Sequence, residues 1–338
     1  MRLGVFLSQD SGVPVAQEAE RLGYAVALVP EGFKQDAASL LGAVAATTSR
    51  IRLASGVMQI PARTPVLTAL TAATVDGLSG GRFALGLGVS NPDVSRGWYG
   101  APSDRPLART REYVDIVRLA LAGQPVRYPG RHYRLPPDGV DEVAHLRAAT
   151  VRADLPIWLA AVGPANLELA GEIADGWVGV FTSPARLAES LRHVAKGRAV
   201  VGKDLAGFEV LPSVPISVGP DPIAAADRLR GYFANFIGLG SRERSIYHRL
   251  VTELGYGDAA DEIRARTRAG DRAGAAAAVP FELMDATSLI GSAERIAPRL
   301  AEYAEAGVTT LGLTPPAGTT ADHLETLRVA ATAMRLPV

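Results

Sequence analysis

The sequence predicts an α/β fold, a (β/α)8 TIM barrel with insertions at the C-terminal face of the barrel. Three observations predict it. Short apolar runs alternate with longer stretches of helical periodicity, the pattern of right-handed βαβ units on a parallel sheet. Eight such runs occur, whereas a doubly wound sheet usually has fewer strands and an early phosphate-binding fingerprint. The chain has 338 residues, and a bare barrel uses about 250, so the surplus fits two excursions.

The runs come in order. Leu3–Leu7 is β-type, and a helix over Pro14–Leu22 closes on Gly23. Strand Ala25–Val29 precedes helix Ala37–Thr48. Strand Arg52–Val57 precedes helix Val66–Leu78, and strand Phe83–Val89 precedes helix Leu107–Leu121. The rhythm then lapses from Gly123 to Asp154, where tyrosines and prolines suggest loops or a short hairpin. It resumes with strand Ile157–Ala161, helix Ala165–Ala174, strand Trp177–Phe181 and helix Ala185–Ala195. Phe208–Val218 is the seventh strand. A helix-rich excursion follows from Pro222 to about Ala278. Helix Ala293–Ala306, strand Thr309–Thr314 and helix Ala321–Met334 finish a single domain spanning residues 1–338, with insertions at about 123–154 and 222–285. The low-complexity run Ala269–Val279 reads as a surface helix or loop, because alanine favours helix and offers a site little.

Composition narrows the function. Thirty-five basic residues balance thirty-five acidic ones, which gives no long-range attraction to nucleic acid or an anionic membrane. Cysteine is absent, which excludes disulfides, thiolate nucleophiles and cysteine metal sites. No stretch reaches the roughly 18 apolar residues of a membrane span, and no export signal is evident, so a cytoplasmic location is expected.

Active sites of such barrels lie at the C-terminal ends of the strands, which selects a few segments. Gly86-Leu87-Gly88-Val89-Ser90 looks superficially like a nucleotide fingerprint, but no third glycine opens a helix behind it. Close packing inside the barrel, with backbone access at its mouth, explains its glycines. Ser55-Gly56-Val57-Met58-Gln59-Ile60-Pro61 ends a strand on small residues, which lets a flat ring approach the backbone; an ordinary strand-to-helix turn reads the same way. At Ala161-Val162-Gly163-Pro164 a strand enters a helix whose free N–H groups can hold an anion, or form a plain N-cap.

Side chains for acid–base work are scarce. His132, His145, His193, His248 and His323 sit at no predicted strand end and show no metal-ligand spacing, so no metal site is expected and each reads as a surface or packing residue. Glu31 is the one carboxylate at a strand end, as proton donor, cofactor contact or solvated loop acid. Arg63 and Arg96 lie beyond strands three and four and could face an acidic group. So few groups fit chemistry carried by a bound cofactor.

Ile51-Arg52-Leu53-Ala54-Ser55-Gly56-Val57, Pro61-Ala62-Arg63-Thr64-Pro65, Leu78 to Gly88, Leu159 to Pro164 and Leu169 to Trp177 together resemble the luciferase-like monooxygenase superfamily over nearly the whole chain. Leu289-Ile290-Gly291-Ser292 and Glu305 to Thr310 complete the likeness. Arg105 to Tyr113 and Ala275 to Pro280 look like the coenzyme F420-dependent branch, which includes the methylenetetrahydromethanopterin reductases. The resemblance implies F420, a deazaflavin, as cofactor, and a homodimer. It implies a non-prolyl cis peptide at Gly56–Val57, forming a bulge behind the ring. It implies a cofactor site lined by Ser55, Gly56, Val57, Ser90, Asn91, Ala161, Val162, Gly163 and Phe181, with the phosphate near Gly163. Many members place an acid and then histidine after strand two. Here Glu31 keeps the acid and Gly32 replaces the histidine. That suits reduction of a C=N or activated C=C bond, with Glu31 or water supplying the proton.

Two other readings stand beside this one: an FMN-dependent monooxygenase of the same superfamily, and a non-catalytic flavin-binding barrel. The apolar loop Met58–Pro61 and the aromatics Phe33, Trp98, Tyr99 and Phe181 suggest a small-molecule or peptide natural-product substrate with some apolar surface. Tyr232, Phe233 and Phe236 either cover the site or pack in the late excursion, and packing is the commoner fate of such residues.

Overall fold

The barrel strands are buried on their inward and outward faces, so they read as near-continuous apolar runs rather than alternating ones. In the computed structural model, which describes residues 1–147, 152–243 and 245–335, the strands are β1 (Arg2–Phe6), β2 (Val26–Val29), β3 (Arg52–Ser55), β4 (Met58–Gln59), β5 (Phe83–Gly88), β6 (Tyr128–Pro129), β7 (Arg134–Leu135), β8 (Ile157–Ala160), β9 (Gly176–Val180), β10 (Glu209–Val218), β11 (Leu289–Gly291) and β12 (Thr310–Thr314). Parallel pairing runs β1-β2-β3-β5-β8-β9-β10-β12 and returns from β12 to β1. The predicted closed (β/α)8 barrel is therefore observed, with all eight expected strands in its wall.

Helices alternate with the strands and are started by local chemistry. Asp36 accepts from Ser39 N–H at the head of Ala37–Thr47, and Thr64 accepts from Leu67 N–H with Pro65 at the first helical position. Gly23 ends the first helix at φ 84°, where a side chain would be strained. Leu3, Val5, Leu53, Leu85 and Ile157 face these helices in the main core. Alternate residues Val26, Leu28, Ala54, Ala84, Trp158, Val178 and Leu211 fill the barrel interior, and Phe6, Val57 and Ala160 close that inner cluster.

Four details differ from the sequence reading. β3 stops at Ser55 rather than Val57, and the chain steps over to β4, which pairs with β5 through Met58↔Leu87 and Gln59↔Gly88. Helix Pro92–Gly97, capped by Asn91, follows β5. β11 adds to the outer end of β10 without entering the closed wall. As the sequence reading allows, the first excursion forms a short hairpin, the antiparallel pair β6–β7, and its residues 148–151 lie outside the described residues. The second excursion, apart from residue 244, folds as consecutive helices with their own apolar cluster, which includes Phe233, Ile237, Val251, Ile263 and Leu283. Ala275 of the alanine-rich run is 2% exposed in that cluster, so part of the run packs inward. Among the described residues no helix is long and apolar enough to cross a membrane.

Candidate active site

Glycine shapes the wall of the site. Ser55 Oγ donates to Gly86 O at 2.8 Å and accepts from Gly86 N–H at 2.9 Å, stapling β3 to β5. A Cβ at Gly86 would lie 2.0 Å from Ser55 O, and one at Gly88 would lie 2.7 Å from Val57 Cγ2. Only glycine admits this approach. The Gly56–Val57 peptide is cis, at the bond the resemblance implies. Gly56, Val57, Gly88, Ala160 and Phe6 form a low-relief apolar shelf at the strand ends, facing a cavity of about 2850 Å³. Ligand pockets for single small molecules run to about 1000 Å³, so this mouth has room for a cofactor and a second molecule.

Glu31, Gly56, Val57, Ser90, Asn91, Ala161, Val162, Gly163 and Phe181 all line that cavity. Ser55 does not: it is fully buried, and its hydroxyl is spent on Gly86. Ser90 (φ 62°) and Phe181 (φ 49°) have left-handed backbone, a conformation that costs a non-glycine residue energy and often marks a functional site. Both occupy strand ends at the mouth.

Glu31 is held firmly. Its Oε2 accepts from Gln59 N–H at 3.0 Å, and its Oε1 accepts from Arg63 Nη2 at 3.0 Å and Nε at 3.1 Å. Its carbonyl accepts from Gln59 Nε2 at 2.9 Å. Arg63 also reaches Asp36. Burial disfavours the charge on Arg63, but Glu31 and Asp36 outweigh it and raise the guanidinium pKa. Arg63 therefore serves internal carboxylates, and Arg96 is half exposed beside Asp93. Sequence alone could not tell such pairing from an anion site.

Around the shelf several polar atoms await partners. Gln59 Oε1, Asn91 Nδ2 and Thr182 Oγ1 are buried without a hydrogen bond, on residues that line the cavity. Burying a polar atom unpaired costs about 1–3 kcal/mol, so such atoms point to a ligand that supplies the missing bonds. Helix Pro164–Ile173 opens at Gly163 with no side-chain cap, as does Pro184–Val200 at Ser183. A Cβ at Gly163 would meet nothing within 4 Å, leaving the first helix start open to the cavity.

Aromatic rings line the far side. Phe181 packs on Tyr232, Phe233, Phe236 and Tyr247 with centroids 6.2, 5.2, 5.9 and 5.7 Å away. Phe233 is wholly buried, whereas Tyr232, Phe236 and Tyr247 line the cavity. Burial pushes the Tyr247 phenol up to about 12 and the Tyr232 phenol higher, so both stay protonated. Tyr232 and Phe236 thus combine the two fates the sequence allows, packing on Phe181 and facing the site. Phe33 and Trp98 stack edge-on at 5.2 Å, both mostly exposed.

The histidines divide. His248 is buried in the second excursion against Asp261 at 2.9 Å, and His193 bonds Glu168 at 3.1 Å. His323 is 8% exposed, lines the mouth, and bonds Ser11 at 2.8 Å. Sequence reasoning set it aside because it is not at a strand end. Its signal was its place in the first turn of the helix that follows β12, which puts it at the mouth. Among the described residues no group of three His, Cys, Asp or Glu could hold a metal ion.

The luciferase-like monooxygenase family model matches residues 8–310. The chain belongs to this family. A Mycobacterium tuberculosis protein carrying the name putative coenzyme F420-dependent oxidoreductase is 36% identical over 329 residues, covering 93% of this chain and 95% of its own. The coenzyme F420-dependent tetrahydromethanopterin reductase structure from Methanopyrus kandleri superposes with TM-score 0.82 at 23% identity, covering 98% of this chain and 97% of that one. The oxygenating component of 3,6-diketocamphane monooxygenase from Pseudomonas putida, solved with FMN, superposes with TM-score 0.71 at 18% identity, covering 100% and 99%. At these identities the two structures share the fold with this family member.

Proposed function

We propose that this protein is an F420-dependent oxidoreductase that transfers hydride between reduced deazaflavin and a C=N or activated C=C bond of a small organic or peptide natural-product substrate. The observation that carries the reading is the apolar shelf of Gly56, Val57 and Gly88, rimmed by the unpaired Gln59, Asn91 and Thr182 atoms. The shelf fits a planar ring, and Gln59, Asn91 and Thr182 bring polar groups to the same cavity. Relatedness over the whole chain to a protein named for F420 favours the deazaflavin, whereas the FMN structure shares only the fold.

When bound, F420 supplies a carbon hydride carrier that reacts poorly with dioxygen. The chain's own residues set the geometry. Val57 and Gly56, on the shelf, would back the ring. Ser90, Asn91 and Phe181, at neighbouring strand ends, would flank it. Ala161, Val162 and Gly163, with the uncapped helix start behind them, suit the phosphate. Tyr232, Phe236 and Tyr247 wall the substrate space and exclude water, which strengthens electrostatic interactions inside. Glu31, with both oxygens engaged, is a positioning residue that ties the loop after β2 to the start of β4.

The test is a single-turnover assay. Reduced F420 is mixed anaerobically with the protein and one of two probes, cyclohex-2-en-1-one or 1-pyrroline, and the return of oxidised-deazaflavin absorbance is followed. Protein-dependent oxidation by a probe, unaffected by admitting air, is expected. Oxidation that needs dioxygen and appears only with reduced FMN would replace this reading with the monooxygenase.

A further inference from the structure

We propose that Ser8, Ser11 and His323 form a proton relay between the cavity and a buried imidazole. The inference rests on the hydride-transfer reading, because adding a hydride to a C=N or C=C bond requires one proton as well. Glu31 is locked between Gln59 and Arg63, so the mouth needs another source.

The geometry comes from three elements. Ser8 lies just beyond β1, exposed to the cavity. Its hydroxyl is 3.0 Å from Ser11 Oγ, which is 2.8 Å from His323 Nδ1. His323 Nε2 is 2.9 Å from Pro316 O. A carbonyl only accepts, so Nε2 carries a proton and donates it there. In the neutral ring Nδ1 then accepts from Ser11. Ser11 is also the N-cap of helix Gly12–Leu22, a place where serine normally binds the helix's own N–H groups. Here it makes no capping bond and turns its hydroxyl to the histidine.

The chain is satisfied in both protonation states. With neutral His323, O–H groups point from Ser8 to Ser11 to Nδ1. With imidazolium, Nδ1–H donates to Ser11, Ser11 donates to Ser8, and the Ser8 O–H faces the cavity. Rotating two hydroxyls interconverts them. During reduction the substrate heteroatom or carbanionic carbon takes the Ser8 proton. Ser11 refills Ser8, and His323 Nδ1 refills Ser11, leaving neutral imidazole that solvent reprotonates. The electron pair comes entirely from the hydride donor, so the balance is one hydride and one proton per bond reduced. Oxidation runs the same chain backwards. The charged groups nearby are Asp322 on the same helix, held by Thr319, Arg228 acting on Asp322, and Asp10 in the loop bearing the two serines.

The test uses the full chain labelled with 15N-histidine, without cofactor, and reads the His323 ring nitrogens by NMR from about pH 5 to 8. His323→Gln assigns the signals. The Nε2–H tautomer is expected for the neutral ring, with Nδ1 bearing a proton only in the imidazolium. Exchange of that proton with water is expected to slow about a hundredfold or more, the lower end of what a positioned proton-transfer group contributes, in both Ser8→Ala and Ser11→Ala. Ser8 does not touch the imidazole, so a packing histidine would ignore Ser8→Ala. An Nδ1–H tautomer at high pH, or unchanged exchange in Ser8→Ala, overturns the relay. F420 titration of the same variants, expected to match the unaltered protein, separates the two readings. If the unaltered protein fails to bind F420 while the exchange behaves as expected, the cofactor reading falls and the relay stands.

Discussion

At the residue scale the site depends on what is missing as much as on what is present. Gly88 lacks the Cβ that would press on Val57 at 2.7 Å. Gly88→Val is expected to keep the barrel, because the atoms its Cβ meets belong to the Val57 and Ala160 side chains rather than to backbone, and to weaken F420 binding more than tenfold, about 1.4 kcal/mol, as Val57 is forced off the shelf. Circular dichroism with cofactor titration checks both halves. Glu31→Gln keeps the shape of the side chain but removes the charge that Arg63 needs. On the reading that Glu31 positions rather than donates, the variant is expected to lose cofactor affinity several-fold and retain at least about a tenth of the single-turnover rate, less than the roughly hundredfold loss of a deleted general acid; a hundredfold loss would return the proton-donor role to Glu31. The glycines and the acid were readable from the sequence as strand-end residues. Ser55 was not readable, since only the register of β3 against β5 shows that its hydroxyl is consumed. His323 was hidden for a similar reason, because its partner Ser11 is 312 residues away.

At the element scale, the stop of β3 at Ser55 and the hand-over to β4 create the shelf. A periodicity rule extends a strand while its residues stay apolar, so it ran β3 on to Val57 and could not foresee the step. The second excursion shows the opposite. Its helices were legible as helices, but their attachment through Phe181 was not, because aromatic residues at helical spacing look the same whether they face a core or a cavity. Phe233 sits at the centre of that attachment. Phe233→Ala is expected to destabilise the protein by about 3–5 kcal/mol, measured by urea unfolding.

At the scale of the whole molecule, the barrel has a polar plug opposite its mouth. Glu209 accepts from Arg2 at 3.0 Å, Arg52 at 3.3 Å, and the Thr309 and Thr310 hydroxyls at 2.5 and 2.7 Å. Burial favours the protonated acid, but the two threonines and the two arginines together hold its pKa below the ordinary value. A lowered folded pKa contributes stability that is present above the unfolded value near 4 and is lost as pH falls through the folded value. Glu209→Gln is expected to lower stability by about 2 kcal/mol at neutral pH and to remove this part of the acid dependence, with F420 binding unchanged; denaturant unfolding across pH checks it. Elsewhere, Val66, Leu67 and Leu70 expose large apolar side chains on one helix. We propose that this helix joins two copies in a homodimer. Sedimentation is expected to show a dimer that Leu70→Glu converts to monomer. The closed barrel followed from counting apolar runs, since periodicity survives any change of ligand. The substrate does not follow in that way, because it is set by side chains that several distant loops bring to one mouth.

The central claim is a planar redox ring on the shelf at the end of β3. Its most direct measurement is a parallel titration of the purified protein with F420 and with FMN, read by quenching of tryptophan fluorescence, with Trp177 at the cavity wall as reporter. The account predicts saturable quenching by F420, much weaker quenching by FMN, and loss of the F420 signal in Gly88→Val. Failure to bind either cofactor, or F420 binding untouched by Gly88→Val, would contradict it.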